Sequence, residues 1–206
     1  MNTQQILDLI IAAIILSAIW AQLGTFISHK IRIVSIQSVL LSVYIILLGY
    51  WGNEFELIIL GILIIILRAF LTSRILTSKI SSTPFIFRER FGDASWIGII
   101  SILMLIFSFI TYRILFSPLG YETIGDGGFA LLFQGIFLIG SRKSKFSQFL
   151  GYVEEENAIV MLSLGIISLP LMIEVSVLLD VLALLIVSTV LISDKPDSQV
   201  FEEMTG

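Results

Sequence analysis

Residues Leu57–Leu76 read LIILGILIIILRAFLTSRIL. Nothing from Leu57 to Leu67 carries a charge or a polar side chain. A spanning helix needs roughly 20 mostly apolar residues to cross a hydrocarbon core about 30 Å thick, and this stretch supplies them. It is apolar on every face. A transmembrane barrel strand would instead be about ten residues long with strict alternation. The stretch is therefore expected to be a membrane-crossing helix with one charge at depth, Arg68, about 16 Å in from Leu57 at the rise of an α-helix, and a second, Arg74, at its end.

The rest of the chain repeats this character. Of 206 residues, 57% are hydrophobic and only 14% charged, against about 25% charged in ordinary soluble domains. Mean hydropathy is +1.03. A soluble protein of this size has no core large enough to hide so much apolar surface. The composition excludes a soluble enzyme, a disordered chain and a nucleic-acid binder. The fold class expected is all-α, a polytopic transmembrane helix bundle forming one domain over residues 1–192, with a short acidic tail over 193–206. Seven spans are predicted: Ile6–Ile27, Ile33–Trp51, Leu57–Leu76, Ser95–Phe116, Gly128–Gly140, Gly151–Leu169 and Leu171–Ile192. The fifth is short and calls for flanking residues, tilt or local thinning of the bilayer.

The basic residues set the orientation. Ten of the twelve fall after the odd-numbered spans: Lys30 and Arg32; Arg74, Lys79, Arg88 and Arg90; Arg142, Lys143 and Lys145; and Lys195. The opposite loops hold Glu54, Glu56, Glu122 and Asp126 with no basic residue. The positive-inside rule then predicts an outside N-terminus and a cytoplasmic C-terminus in the cell membrane, and six spans would break the pattern. The first apolar run has no basic residue ahead of it and is too long for a cleaved signal peptide, so it is expected to persist as a helix. Trp20, Tyr50, Trp51, Trp96, Tyr112 and Tyr121 lie near span ends, as an interfacial aromatic belt requires. The long loop Thr77–Ala94, with Pro84 among apolar residues, is expected on the cytoplasmic side.

Two basic residues remain. Arg113, near the outer end of span four, can snorkel to the interface. Arg68 lies at depth, where an ionised side chain marks a functional site by default, or else a structural ion pair holding the bundle together. The acids gather in the last two spans. Glu154 and Glu155 read as solvated residues at a helix N-terminus, where negative charge is favoured; Glu156 lies deeper. Glu174 follows Pro170, and Asp180 lies six residues further on, about 120° away in azimuth. Such acids fit two accounts: polar contacts between subunits, or a proton relay of buried carboxylates.

Other signals are weak. Gly125–Asp126–Gly127–Gly128 lacks the lysine of a phosphate loop and reads as an outer turn. There is no Gly-xxx-Gly pair to pack helices. Cysteine is absent and His29 is the single histidine, so no disulfide, thiolate metal site or haem pair is available, and no cofactor is expected in this chain. No Ser/His/Asp constellation is present, and no catalytic residue is assigned.

The segment Phe149–Ile192, FLGYVEEENAIVMLSLGIISLPLMIEVSVLLDVLALLIVSTVLI, resembles the C-terminal part of the hydrogenase-4 membrane component E family. That family is related to the small K subunit of respiratory complex I and to the C subunit of multisubunit cation/proton antiporters. The resemblance is carried by Gly151–Tyr152, Glu156–Asn157, and Pro170 followed by Glu174 and Asp180. A fainter likeness covers Gln37–Ser38 and Arg68, where the family often has lysine; spans four and five match in hydropathy and length alone. The chain departs from the family in Asn157–Ala158, where relatives often have Asn-Gly, and in its more acidic Glu154–Glu156 run. Arginine does not deprotonate in proteins, so Arg68 is expected to act as a fixed charge.

The resemblance implies a membrane-arm subunit of a complex I-like oxidoreductase or hydrogenase, with no catalytic centre of its own. Antiporter-like subunits would be its partners. Iron–sulfur clusters and a nickel–iron or quinone site would belong to other subunits. Glu156, Glu174, Asp180 and Arg68 would line a proton or cation path. The alternatives are a structural subunit that bridges antiporter-like chains without carrying protons, and a self-sufficient small transporter, for which no matching pair of broken helices is evident.

Overall fold

The computed structural model describes residues 2–81, 94–116, 123–142, 144–164, 174–183 and 185. Within them the chain is helical, with no strand. The elements are α1 (Thr3–Leu23), α2 (Ile27–Gly52), α3 (Phe55–Ile64), a π-helical segment (Ile65–Thr72), α4 (Ser73–Ser81), α5 (Ala94–Phe116), α6 (Thr123–Ser141) and α7 (Lys145–Ser163). Residues 174–183 are also helical. Among the described residues, five helices are long and apolar enough to cross a membrane: Thr3–Leu23, Ile27–Gly52, Phe55–Ser78, Trp96–Phe116 and Ile124–Ser141. Helices are favoured here because each closes its backbone hydrogen bonds within itself.

Helices α1, α2, α7 and α6 form a closed ring, each packed on the next. The unit α3–π–α4 lies outside the ring against α2, and α5 lies outside against α6 and α1. Two apolar clusters fill the ring. Ile14, Leu41, Ile45, Leu131 and Met161 belong to the one that also takes in Leu60 and Ile64 of α3. Ala21, Ile31, Val34, Leu138 and Leu150 belong to the other. The flanking helix α5 leaves Ile99, Leu103, Ile106, Ile110 and Ile114 exposed, a face suited to lipid.

Several boundaries differ from the sequence expectation. Span one ends at Leu23, not Ile27, because Gly24 and Phe26 are extended. Gly24 lets the Lys30 side chain fold over the turn: a Cβ there would lie 3.1 Å from Lys30 Cγ. Lys30 and Arg32 are therefore in α2 rather than a solvated loop. The short fifth run, Gly128–Gly140, is extended by its flanks into Thr123–Ser141. Gly125–Gly128 form the first turns of α6 and not a flexible turn, with Asp126 at the helix N-terminus, where its charge is favoured. These glycines are held helical by contact: a Cβ on Gly127 would meet Ile11 at 2.6 Å and one on Gly128 would meet Leu162 at 2.9 Å. Helix α7 starts at Lys145, six residues before the expected Gly151, so Glu154–Glu156 sit mid-helix. The loop around Pro84, with Arg88 and Arg90, and also Glu122, Lys143, Pro170, Lys195 and the acidic tail lie outside the described residues.

The tightest crossing is α6 on α7. A Cβ on Gly135 would stand 2.9 Å from Gly151 O, and one on Gly151 would stand 2.9 Å from Gly135 O. Backbone meets backbone through a single glycine from each helix, without the four-residue repeat. Gly151→Val forces the two backbones apart, and overpacking of this kind costs about 1–3 kcal/mol. Thermal unfolding of the purified chain in detergent, followed by tryptophan fluorescence, is expected to show a lower midpoint for this variant and little change for Gly140→Val, since Gly140 has open space around it.

Candidate functional site

Arg68 lies within the π-helical segment. A π turn closes from residue i to i+5, so it holds one residue more than an α turn, and such turns gather at functional sites. The Thr72 hydroxyl repeats this reach, donating to Leu67 O at 2.9 Å. The extra residue resets the direction of the side chains that follow. Arg68 is turned inward and is only 2% exposed.

Two helices, α7 and 174–183, meet its guanidinium. Nε donates to Asp180 Oδ1 at 2.5 Å. Nη1 donates to Asn157 Oδ1 of α7 at 3.1 Å, and Nη2 donates to the Ser176 hydroxyl at 3.1 Å. Glu156 Oε2 stands 3.6 Å from Nε. Both carboxylates are buried. Neither Glu156 oxygen has a close, well-aligned hydrogen-bond donor; the Tyr152 hydroxyl, one turn earlier on α7, is directed to the same carboxylate. Two carboxylates from two helices thus flank one guanidinium in a low-dielectric interior, where unpaired charge is costly.

The site continues along the seam between α2 and α7. Lys30 Nζ donates to Ser147 Oγ at 3.1 Å, and Gln37 Nε2 donates to Glu154 Oε1 at 3.2 Å. Both pairs are 117 residues apart. The constant offset means that α2 and α7 run in the same direction and in register. The paired polar residues stand seven apart on each helix, Lys30 and Gln37 on one, Ser147 and Glu154 on the other, the spacing that keeps both on the side facing a parallel neighbour. Asn157 Nδ2 donates to Gln37 Oε1 at 3.2 Å and to Ser38 Oγ at 3.0 Å. These bonds join the seam to Arg68.

Of the residues singled out in the sequence, Arg68, Glu156 and Asp180 come together. Glu174 does not: it is exposed at the start of helix 174–183 while Asp180 is buried, as their separation around the helix requires. Glu154 is fully buried and is not a solvated end residue. Gln37, Ser38 and Asn157, which entered only through the resemblance, form the centre of the network, and Ser176 had no part in the reading. The seven-residue spacing of Lys30 and Gln37, and of Ser147 and Glu154, was the available signal for Gln37 alone among these four.

The basic residues at the other end of the seam also differ from expectation. Arg142, 3% exposed, donates through Nη2 to Gln22 O near the C-terminus of α1, satisfying a carbonyl that the helix leaves open. Gln148 Nε2 donates to Arg142 O at 2.7 Å. Lys30 and Arg142 are thus built into the helix ends rather than displayed on loops. Arg113 is exposed and stands 3.8 Å from Asp126, in keeping with an interfacial anchor. No family model, no curated protein and no solved structure matches the chain.

Removing Arg68 leaves Asp180 buried without its cation. Breaking one side of a buried pair costs about 3–5 kcal/mol, whereas replacing both sides with apolar residues is often neutral. Arg68→Met is therefore expected to reduce the folded population strongly in a detergent-unfolding titration. The double variant Arg68→Met/Asp180→Leu is expected to recover most of it.

Proposed function

We propose that this chain is a non-catalytic membrane-arm subunit of a complex I-like, energy-converting oxidoreductase or hydrogenase assembly. Arg68, Glu156, Asp180 and Glu174 lie on its proton or cation path. The observation that carries the reading is the charge balance at Arg68. One guanidinium is shared by two buried carboxylates, Asp180 at 2.5 Å and Glu156 at 3.6 Å. One positive charge balances one carboxylate, so neutrality at this depth calls for a proton or a second cation on the other. Acidic groups of this kind mark ion paths through membranes. The likeness of residues 149–192 to the hydrogenase-4 component E family supports the same reading.

In this reading the chain crosses the cell membrane seven times, with the N-terminus outside and the C-terminus in the cytoplasm. Helix α7 is the sixth crossing, its charges turned into the bundle. The parallel register of α2 and α7 supports this, because spans two and six share a direction. The partners are antiporter-like membrane subunits. Glu174, exposed in this chain, faces one of them. The redox centres, iron–sulfur clusters with a nickel–iron or quinone site, are carried by other subunits. Arg68 holds its charge permanently and biases which carboxylate takes the proton. A second reading, a structural bridge between antiporter-like chains, is favoured by one observation: every nitrogen of the Arg68 guanidinium already has a partner within the chain.

Glu156→Gln and Asp180→Asn, made singly, separate the two. In the assembled complex, the ion-path reading expects each to lower pumping per electron transferred while the complex still assembles. Wild-type pumping in both variants would overturn it; loss of the complex on a native gel would favour the structural bridge. The absence of cysteine makes topology equally accessible. A single cysteine at Thr3 is expected to react with an impermeant thiol reagent added outside intact cells, and one at Thr77 only after the membrane is opened.

A further inference from the structure

Glu154 lies fully inside the bundle, two residues before Glu156, and does not touch Arg68. It is joined to Arg68 by two side-chain amides. Arg68 Nη1 donates to Asn157 Oδ1 at 3.1 Å, Asn157 Nδ2 donates to Gln37 Oε1 at 3.2 Å, and Gln37 Nε2 donates to Glu154 Oε1 at 3.2 Å. Every bond points the same way. The guanidinium has no acceptor and the ionised carboxylate has no donor. Asn157 must therefore turn its oxygen to Arg68, and Gln37 its nitrogen to Glu154. The two ends fix both amides, and aligned bonds of this kind strengthen one another. The other carboxylate oxygen, Glu154 Oε2, is buried and has no hydrogen-bond partner.

We infer that Glu154 is a further proton-exchanging carboxylate of this site, coupled to the Arg68–Asp180 pair through the amide relay Asn157–Gln37. A hydronium ion gives up its proton to Glu154 Oε2: one O–H bond of hydronium breaks, one O–H bond forms on the carboxyl oxygen and a water molecule is released, and the reverse step returns the proton to water. Once protonated, Glu154 can donate as well as accept. Arg68 still holds the Asn157 oxygen, but the relay has lost its charged acceptor, and its aligned bonds, which polarise one another, weaken as far as Arg68. A charge change at Glu154 is thus felt at the ion pair without any displacement of backbone. Gln37 and Asn157 are positioning residues, since an amide does not carry the proton itself.

The charged surroundings of Glu154 are few. Glu155 is beside it on α7. From α2 it is met by Gln37, with Lys30 two turns away at Ser147. Helix α6, packed on α7, has its charged residues at its ends, Asp126 and Arg142. On the remaining side the relay leads to Arg68, Glu156 and Asp180. The proposal rests on the ion-path reading for the use made of the proton. The coupling itself can be tested without any pumping measurement.

The test is labelling by dicyclohexylcarbodiimide, which reacts with buried protonated carboxyl groups. The full chain in its native membranes is treated over a pH series, and modification at Glu154 is read by peptide mass spectrometry. Wild type is expected to label at Glu154 with a definite half-labelling pH. Asn157→Leu or Gln37→Leu removes the relay, and the half-labelling pH is expected to rise by about one unit, a tenfold change in proton affinity of the size a hydrogen bond to a charged group confers. Asn157→Gln, which keeps an amide, is expected to restore part of the shift. Two leucine variants are used so that one remains if the other fails to insert. A half-labelling pH unchanged in whichever variant inserts would overturn the coupling. No label at Glu154 between about pH 5 and about pH 9, the range in which buried glutamates are known to titrate, would overturn the proton exchange. A shifted label together with unimpaired pumping in Glu156→Gln and Asp180→Asn would leave this inference standing and remove the ion-path reading.

Discussion

One guanidinium in a low-dielectric interior governs much of this structure. Arg68 is permanently charged, and nothing around it resembles water. It must find acceptors in fixed directions, and it finds three on two helices: Asp180 and Ser176 on helix 174–183, and Asn157 on α7. A π-helical segment turns the side chain toward them. The unit α3–π–α4, which packs outside the four-helix ring, is thereby tied to the last described helix and to α7 by polar contacts as well as by apolar packing. In a bilayer the apolar contact between helices is weak as a driving force, because lipid tails offer the same surroundings. Specific polar bonds and close backbone packing then select one arrangement.

Glycine supplies the close packing. Gly135 and Gly151 bring α6 and α7 into backbone contact. Gly61 allows α3 to approach α2, where the Ser42 hydroxyl donates to Gly61 O at 2.6 Å. These contacts hold α7 between α6 and α2 and so keep the α2–α7 seam in register. The register matters more than any one bond in it. With α2 and α7 parallel and offset by a constant number of residues, polar groups that are isolated in each helix become pairs. Gln37 meets Glu154, and Ser38 and Gln37 meet Asn157. A shift along the seam would leave each of these groups unsatisfied in an apolar interior, at a penalty of about 1–3 kcal/mol per group.

Much of this was legible along the chain, for a physical reason. Hydrocarbon sets the length of a crossing helix, and long apolar runs report it directly. That is why Leu57–Leu76 and its neighbours could be read as helices. Arg68, Glu156 and Asp180 could also be chosen, because a charge within an apolar run needs a partner. Helix ends were less legible. Lys30 was read as the marker of a cytoplasmic loop because basic residues usually are, yet Gly24 opens space for it to fold inward. Gly125–Gly128 read as a turn on local preference; contact with Ile11 and Leu162 decided otherwise. Glu154 was assigned to a solvated helix end because Gly151 was taken as the start of a span that begins at Lys145.

By itself, the sequence determined that this chain is a bundle of apolar helices and that Arg68, Glu156 and Asp180 are charges set within them. Both follow from composition and from the spacing of polar residues along single helices. Only the tertiary structure decided which charges face one another. That depends on helix register, on a π turn and on glycine contacts between helices far apart in sequence. It placed Glu174 outside the cluster and Glu154 within it. It also joined Glu154 to Arg68 through two amides, because a donor-only group at one end and an acceptor at the other leave the amides a single way to turn.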